Sequence, residues 1–225
     1  MQLPDHARFV FLCFTNRCGS NYTAELLASG RRFPRAGENL NADTVIDHAK
    51  QNNFVSFQEY FSFLADHTMK HDIISIKVAP AHLELLWKSG ILARIIGRSQ
   101  FILIERNDKL AQAISHLIAF QTGKFMSTAN VPESKNQPVF DRDTLNKIIA
   151  TIINEYRDFN LFFARNGLIP VRIIYEQLVR HPVEVLSMAC ESIGFPDLQI
   201  NPGNATLSKQ ADQLNAEWRR KYLEE

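Results

Sequence analysis

Four short apolar segments separated by helical patterns constrain the fold of this chain more than any other feature of its sequence. Each segment is rich in β-branched or aromatic residues, which is typical of strands buried on both faces. The segments cover residues 8–14, 73–78, 100–104 and 171–175. Parallel neighbours need long crossovers, which are usually helices. The alternation therefore predicts a three-layer α/β fold, with a central parallel sheet of about four to five strands flanked by helices.

The stretches between these strands carry helix periodicity and helix-boundary residues. Ser56 is a candidate N-cap, and Gly123 and Gly167 are candidate stops for two of the helices. The predicted helices cover residues 21–29, 57–69, 81–89, 108–122 and 141–166.

Length and charge limit the classes of protein. The 225 residues suffice for one sizeable α/β domain, and we expect a single domain over residues 1–225. Lysine plus arginine (25) nearly balances aspartate plus glutamate (24), so no overall basic field favours nucleic acid as a partner. An anionic ligand would need a local site.

Cysteine usage and hydropathy bear on compartment and metal binding. Cys13, Cys18 and Cys190 are too few and too scattered for a disulfide framework or a zinc site. No segment approaches the roughly 18 consecutive apolar residues of a membrane span, and the N-terminus lacks an apolar signal-peptide core. The expectation is a soluble cytoplasmic protein with no membrane span and no metal.

The first predicted strand runs into a short polar turn and then a helix, which is the layout of a phosphate-binding turn. A helix N-terminus presents unpaired N–H groups, and Gly19 lets the backbone approach a ligand. Arg17 adds a full charge, and Ser20 and Asn21 add side-chain donors. From these residues alone, an anion site and an ordinary capped turn are equally good interpretations.

The turn lacks the GK[ST] triplet of nucleotide triphosphatases. It has no lysine for the β- and γ-phosphates and no established magnesium-binding hydroxyl, which argues against magnesium-nucleotide hydrolysis.

A second constellation follows the third predicted strand. Arg106 ends that strand, at the edge where parallel sheets bind ligands. On the next helix Ser115 shares a face with Asp108 and Gln112, so Arg106 and Ser115 can converge on one anion. The alternative is an Arg106 paired to a nearby carboxylate and a serine with no ligand.

Four sequence blocks, in order along the chain, resemble the bacterial trehalose 2-sulfotransferase-type family. They are TNRCGSNYTAELL, RNDKLAQAIS with HLIAFQTGKF, YEQLVRHPVEVL, and LSKQADQLNAEWRRKY, spread from about residue 9 to the end. The resemblance implies a P-loop NTPase-like sulfotransferase fold. It also implies transfer of a sulfuryl group from 3′-phosphoadenosine 5′-phosphosulfate (PAPS) to a carbohydrate hydroxyl.

The resemblance implies roles for residues at both ends of the nucleotide. Arg106 and Ser115 would hold the 3′-phosphate, and Lys209 and Gln210 would close the pocket on that side. The 5′-phosphosulfate would be held by Arg17, Cys18, Gly19, Ser20 and Asn21, with Arg17 also stabilising the transferred group.

Glu38 is the candidate general base, because the family's proposed base is a glutamate in a loop at about this distance from the first turn. The match is imperfect, since Ala36 stands where the family has proline and Asn39 and Leu40 stand where it has aromatic residues. The alternative is a solvated loop carboxylate. The fallback bases are His48, His67 and His71.

Lys77 resembles a lysine that follows the family's second strand. It could steady the departing charge or the acceptor, or it could simply pair with a neighbouring carboxylate.

Three hypotheses follow. The first is a PAPS-dependent sulfotransferase acting on a carbohydrate, a glycolipid or a related polar metabolite. The alternative is a noncatalytic module that binds PAPS or 3′-phosphoadenosine 5′-phosphate (PAP), and a kinase-like enzyme is disfavoured by the missing triplet.

Assembly and the long polar loop each allow two interpretations, whereas the C-terminal cations have one. Family members can pair into a homodimer, although the aromatic residues within 54–63 are more simply a core helix face. The loop over residues 127–143 is either a connector or a lid. Arg219, Arg220 and Lys221 are assigned to a solvated helix end.

Overall fold

A four-stranded parallel sheet with the order β2-β1-β3-β4 forms the centre of the molecule. The structure is a computed structural model that describes residues 3–125, 137–206 and 213–224. The strands are β1 (Arg8–Cys13), β2 (Ile73–Val78), β3 (Ser99–Glu105) and β4 (Val171–Ile174). Each strand end lies within one residue of its predicted position, so the parallel α/β fold is confirmed.

Ten α-helices connect and flank these strands within the described ranges. They are α1 (Ser20–Ser29), α2 (Ala42–Asn52), α3 (Phe57–Thr68), α4 (Pro80–Lys88), α5 (Ile91–Ile95), α6 (Lys109–Thr122), α7 (Arg142–Arg165), α8 (Tyr175–Arg180), α9 (Pro182–Ser192) and α10 (Gln213–Glu224). Short 3₁₀ turns cover Ile96–Arg98 and Pro202–Asn204. The five predicted helices are confirmed, and the predicted C-terminal helix end with Arg219, Arg220 and Lys221 lies in α10, whereas α2, α5, α8 and α9 are additional.

Helix caps form where the sequence places capping residues. The Ser56 hydroxyl accepts a hydrogen bond from the Glu59 backbone N–H at 3.3 Å, and Asp108 Oδ1 accepts one from Ala111 at 2.9 Å. Both satisfy a first-turn donor that has no partner inside its helix.

Alternate residues of β1 divide between two apolar layers, as strand geometry requires. Phe9 and Phe11 pack into the layer that contains α3 to α7 and α10. Val10 and Leu12 pack into the opposite layer with α1, α8 and α9. Because β1 is buried on both faces, its carboxyl end and the turn after it lie between the two layers.

The loop between α1 and α2 docks onto β2. The Lys77 backbone N–H donates to the Gly37 carbonyl at 3.0 Å, and Gly37 forms a parallel bridge with Ile76. The Tyr60 hydroxyl donates to the Asn39 carbonyl on the other side of the loop. These contacts bring Glu38 to the carboxyl end of β2.

Membrane-spanning and metal-binding features are both absent from the described residues. No helix among them combines the length and the apolar character that crossing a membrane requires. Nor do those residues contain a group of three or more His, Cys, Asp or Glu side chains placed to hold a metal. All three cysteines are buried free thiols.

Candidate functional site

The turn after β1 leaves the start of α1 open at the sheet edge. Gly19 precedes α1 with φ of 96°, and Arg17 also has a positive φ of 62°. No side chain caps α1, and its first turn contains no acidic residue. The first N–H groups of a helix have no intrahelical partner and carry partial positive charge. The open start of α1 is therefore suited to an anion.

Arg17 extends from this turn toward α6. Its Nε donates to the Ser115 hydroxyl at 3.0 Å, and its Nη1 donates to the Phe125 carbonyl. Burial, followed by the charge of Arg106, lowers the pKa of Arg17. Arg106 and Ser115, which the sequence predicts to converge, both contact Arg17: the Ser115 hydroxyl accepts from Arg17 Nε, and Arg106 donates to the Arg17 carbonyl.

Arg106 follows β3 and lies beside Arg17. Its Nη1 donates to the Arg17 carbonyl at 3.4 Å, and its guanidinium carbon lies 5.1 Å from the centre of the Tyr175 ring. Its buried Nε has no hydrogen-bond partner, and no carboxylate in the described ranges forms an ion pair with its guanidinium. Two neighbouring cations with an unsatisfied donor favour an anionic ligand.

Gln112 fastens the turn to α6. Its fully buried side chain donates from Nε2 to the Thr15 hydroxyl at 2.8 Å and to the Asn16 carbonyl at 2.7 Å. The sequence places Gln112 on the same face as Ser115, but only the structure shows that this face contacts the turn after β1.

The start of α6 is held by contacts from two distant elements. Glu176, at the start of α8, accepts hydrogen bonds from the Asn107 and Asp108 N–H groups at 3.0 and 3.2 Å. Arg219 of α10 donates to both Asp108 oxygens at 2.9 and 2.8 Å. The assignment of Arg219 to a solvated helix end is therefore incomplete, because this side chain joins α10 to the turn that carries Arg106.

Lys209 and Gln210 lie outside the described residues, as do residues 127–136 of the long polar loop.

A buried lysine connects β2, α1 and the Glu38 loop. The Lys77 side chain is 1% exposed, and its Nζ lies 2.5 Å from Glu38 Oε1 and 2.6 Å from Asn21 Oδ1. The ammonium also lies 4.4 Å from the centre of the Phe14 ring. Glu38 is consequently a paired and only partly exposed carboxylate rather than a freely solvated one.

Opposing effects act on the Glu38 carboxyl. Burial favours the protonated form, but the Lys77 charge and the hydrogen bonds from Lys77 and Asn41 together outweigh burial, so the pKa of Glu38 is lowered. Glu38 is thus an ionised hydrogen-bond acceptor at neutral pH.

His82 is a neighbour of Glu38 that the sequence did not suggest. Its Nδ1 accepts a hydrogen bond from the Ala79 N–H at 3.1 Å, and burial lowers its pKa despite the charge of Glu38. Of the fallback bases, His71 precedes β2 at the opposite edge, and the His67 ring packs on Phe63 with Nδ1 2.9 Å from the Phe63 carbonyl oxygen. The His48 ring lies 5.9 Å from the ring of Tyr60 on α3.

A groove of about 740 Å³ runs between α4 and α7. It begins at Ala79, immediately after β2, and its lining includes Trp87, Glu155 and Asp158. Burial, with a smaller contribution from the Asp158 charge, raises the pKa of Glu155 to about 7. The volume of this groove falls within the range of small-molecule pockets.

A parallel sheet whose first strand leads through a glycine turn into an open helix N-terminus defines a P-loop-like α/β protein, here without the GK[ST] triplet. The Stf0 sulphotransferase family profile matches residues 78–225, and the chain belongs to this family. The match includes Arg106, Ser115 and Tyr175 but begins after Arg17 and Glu38.

Trehalose 2-sulfotransferase of Mycobacterium tuberculosis (strain ATCC 35801 / TMC 107 / Erdman) is 27% identical over 125 residues. The aligned region covers 56% of this chain and 46% of that protein, so the match spans less than half of the relative's length.

Two solved structures share the fold. The sulfotransferase domain from the curacin biosynthetic pathway has a TM-score of 0.55 at 16% identity, covering 93% of this chain and 82% of that one. A sulfotransferase from Alicyclobacillus acidocaldarius has a TM-score of 0.54 at 11% identity, covering 97% and 92%.

Proposed function

We propose that this chain is a PAPS-dependent sulfotransferase that transfers a sulfuryl group to a hydroxyl of a carbohydrate or a related polar metabolite, without a metal. The observation that carries the proposal is the convergence of Arg17 and Arg106 beside the open start of α1. Membership of the Stf0 sulphotransferase family supports it. A carbohydrate acceptor is suggested by the trehalose in the name of the M. tuberculosis relative.

The donor would bind with its two charged ends on different elements. Cys18, Gly19, Ser20 and Asn21, together with Arg17, would hold the 5′-phosphosulfate through backbone N–H groups and side-chain donors. Arg106 and Ser115, with Lys209 and Gln210 by resemblance, would hold the 3′-phosphate. Fixed donors of this kind stabilise charge that develops on the transferred group and the leaving phosphate.

Glu38 would act as the general base. When the acceptor oxygen bonds to sulfur, the bond from sulfur to the bridging phosphate oxygen breaks and PAP leaves. The proton of the acceptor hydroxyl passes to the Glu38 carboxylate. Lys77 keeps that carboxylate ionised, and its ammonium donates to both Glu38 and Asn21, at the first turn of α1.

Transfer of ³⁵S-sulfate from labelled PAPS tests this proposal, with a panel of sugars, glycolipids and small alcohols as acceptors. The expected result is a labelled product, with a rate that falls about 10²- to 10⁴-fold in Glu38→Gln while PAP affinity is retained. Equal rates for wild type and Glu38→Gln would remove Glu38 from the mechanism.

Binding and transfer measurements on the wild-type protein also distinguish the sulfotransferase proposal from the competing functions. PAP binding without transfer to any acceptor would favour the noncatalytic module, for which the lowered basicity of the Lys77-bound Glu38 is the supporting observation. Thermal stabilisation by ATP and magnesium but not by PAP would overturn the sulfotransferase proposal.

A further inference from the structure

Tyr175 touches both anion-binding elements. It stands where β4 passes into α8, at the same sheet edge as the turns after β1 and β3. Its ring packs so closely on Gly19 that a Cβ added there would lie 2.3 Å from Cδ2. The ring centre also lies 5.1 Å from the Arg106 guanidinium carbon. One side chain thus separates the start of α1 from Arg106.

The neighbouring residue strengthens this arrangement. The Glu176 carboxylate accepts hydrogen bonds from the Asn107 and Asp108 N–H groups, which directly follow Arg106. The start of α8 is therefore attached to the turn after β3 by its carboxylate and to Gly19 by its ring. This is a rigid connection between two loops far apart in sequence.

We infer that Tyr175 is a positioning residue that sets the distance between the two anion-binding elements, so that one nucleotide with phosphates at both ends can bind both. The inference rests on the proposed function. A two-ended ligand gains the full benefit of its second contact only when the spacing of the sites is fixed beforehand. The ring supplies that spacing through steric contact with Gly19 and cation–π contact with Arg106.

The role belongs to the ring rather than to the hydroxyl. Within the described parts of the chain, the Tyr175 hydroxyl makes no hydrogen bond, unlike that of Tyr156, which donates to the Ile104 carbonyl. Phenylalanine at this position should therefore function as well as tyrosine. Leucine keeps bulk against Gly19 but offers no aromatic face to Arg106.

Calorimetric titration with PAP and with AMP, which lacks the 3′-phosphate, tests the inference. Tyr175→Phe should bind PAP like wild type, and Tyr175→Leu should lose about tenfold in PAP affinity with little change for AMP. Tyr175→Met, which is unbranched and adaptable, serves if the leucine variant does not fold. Equal PAP affinity in wild type and Tyr175→Leu, or an equal loss in Tyr175→Phe, would overturn the role.

A double-mutant comparison distinguishes positioning from a general loss of structure. In an Arg106→Ala background, Tyr175→Leu should change PAP affinity less than about twofold, because the cation–π partner is already absent. A full tenfold loss in that background, or equal losses for PAP and AMP with a lowered Tm, would contradict the inference. Wild type that neither binds PAP nor transfers sulfate would overturn the proposed function as well.

Discussion

The ammonium of Lys77 lies within hydrogen-bond distance of both Glu38 and Asn21, at 2.5 and 2.6 Å. One buried charge therefore joins the candidate base to the first turn of α1, the helix that would hold PAPS. This relationship explains why a lysine can be retained at 1% exposure, since its carboxylate and amide partners replace water. It also couples the ionisation of Glu38 to the geometry of the anion site.

Lys77→Met should move the acid limb of the pH–rate profile to higher pH. Without the ammonium, burial of Glu38 is opposed only by weaker contacts, so its lowered pKa rises. An ionised base is lost as pH falls through its pKa, and a higher pKa means that the loss begins at higher pH. The measurement is kcat/KM against pH, and an unchanged acid limb would contradict the assignment.

The matched control for that variant is Lys88→Met. Lys88 is 69% exposed and pairs with Glu84 on α4, away from Glu38. The Lys88→Met variant should leave the pH profile unchanged, and its free energy of unfolding should differ from that of wild type by no more than about 1 kcal/mol.

Arg106→Ala should weaken PAP binding with no change in fold. Loss of charged hydrogen bonds to the 3′-phosphate costs about 1.5–3 kcal/mol, or roughly ten- to a hundredfold in Kd. AMP affinity should change far less, because AMP has no 3′-phosphate. Calorimetry with both nucleotides measures the difference, and the control is Arg94→Ala, since Arg94 is an exposed side chain of α5. Unchanged PAP affinity would remove Arg106 from the site.

The sheet and its edge could be predicted because their signals are local. Strands buried on both faces appear as continuous apolar runs, and the residues that follow them share one edge by the geometry of parallel strands. That rule alone predicts that Arg17 and Arg106 lie at the same edge. In contrast, α2 is not predicted from the sequence: it has no buried residue, and its Val45 packs only partly buried against the core.

The contacts that organise the site could not be predicted because they depend on loop docking and long-range packing. The pair between Lys77 and Glu38 spans 39 residues and requires Gly37 to bridge to Ile76. The approach of Tyr175 to Gly19 likewise depends on how β4 and α8 pack against α1. Sequence periodicity carries no information about either distance.

Gly19→Ala should destabilise the protein and abolish tight nucleotide binding. Alanine disfavours φ of 96°, and its Cβ would lie 2.3 Å from the Tyr175 ring, so the ring or the turn must move. We expect a loss of about 3 kcal/mol or more from strain and overpacking combined. Denaturant unfolding measures the stability, and calorimetry with PAP measures the binding.

Gly90→Ala is the control for backbone strain alone. Gly90 has φ of 73°, but a Cβ there would meet no atom within 4 Å. The Gly90→Ala variant should lose only about 1–2 kcal/mol in free energy of unfolding and keep its PAP affinity. Equal costs for the two glycine variants would show that the ring contact adds nothing.

Glu155→Gln should stabilise the protein above pH 7 and remove a pH dependence of stability. The pKa of Glu155 is raised to about 7 in the folded state, chiefly by burial, so folding favours its protonated form. Stability therefore falls as pH rises from the ordinary glutamate pKa, near 4.3, to about 7, and is then constant. After discounting for partial solvent access, the Glu155→Gln variant should gain about 1–2 kcal/mol in free energy of unfolding over wild type at pH 8.

Urea unfolding at pH 5 and pH 8 measures this gain. The control is Glu184→Gln, which should change stability little because the Glu184 side chain is 79% exposed. A Glu155→Gln variant that is no more stable than wild type at pH 8 would show that the carboxylate is adequately solvated in the groove between α4 and α7.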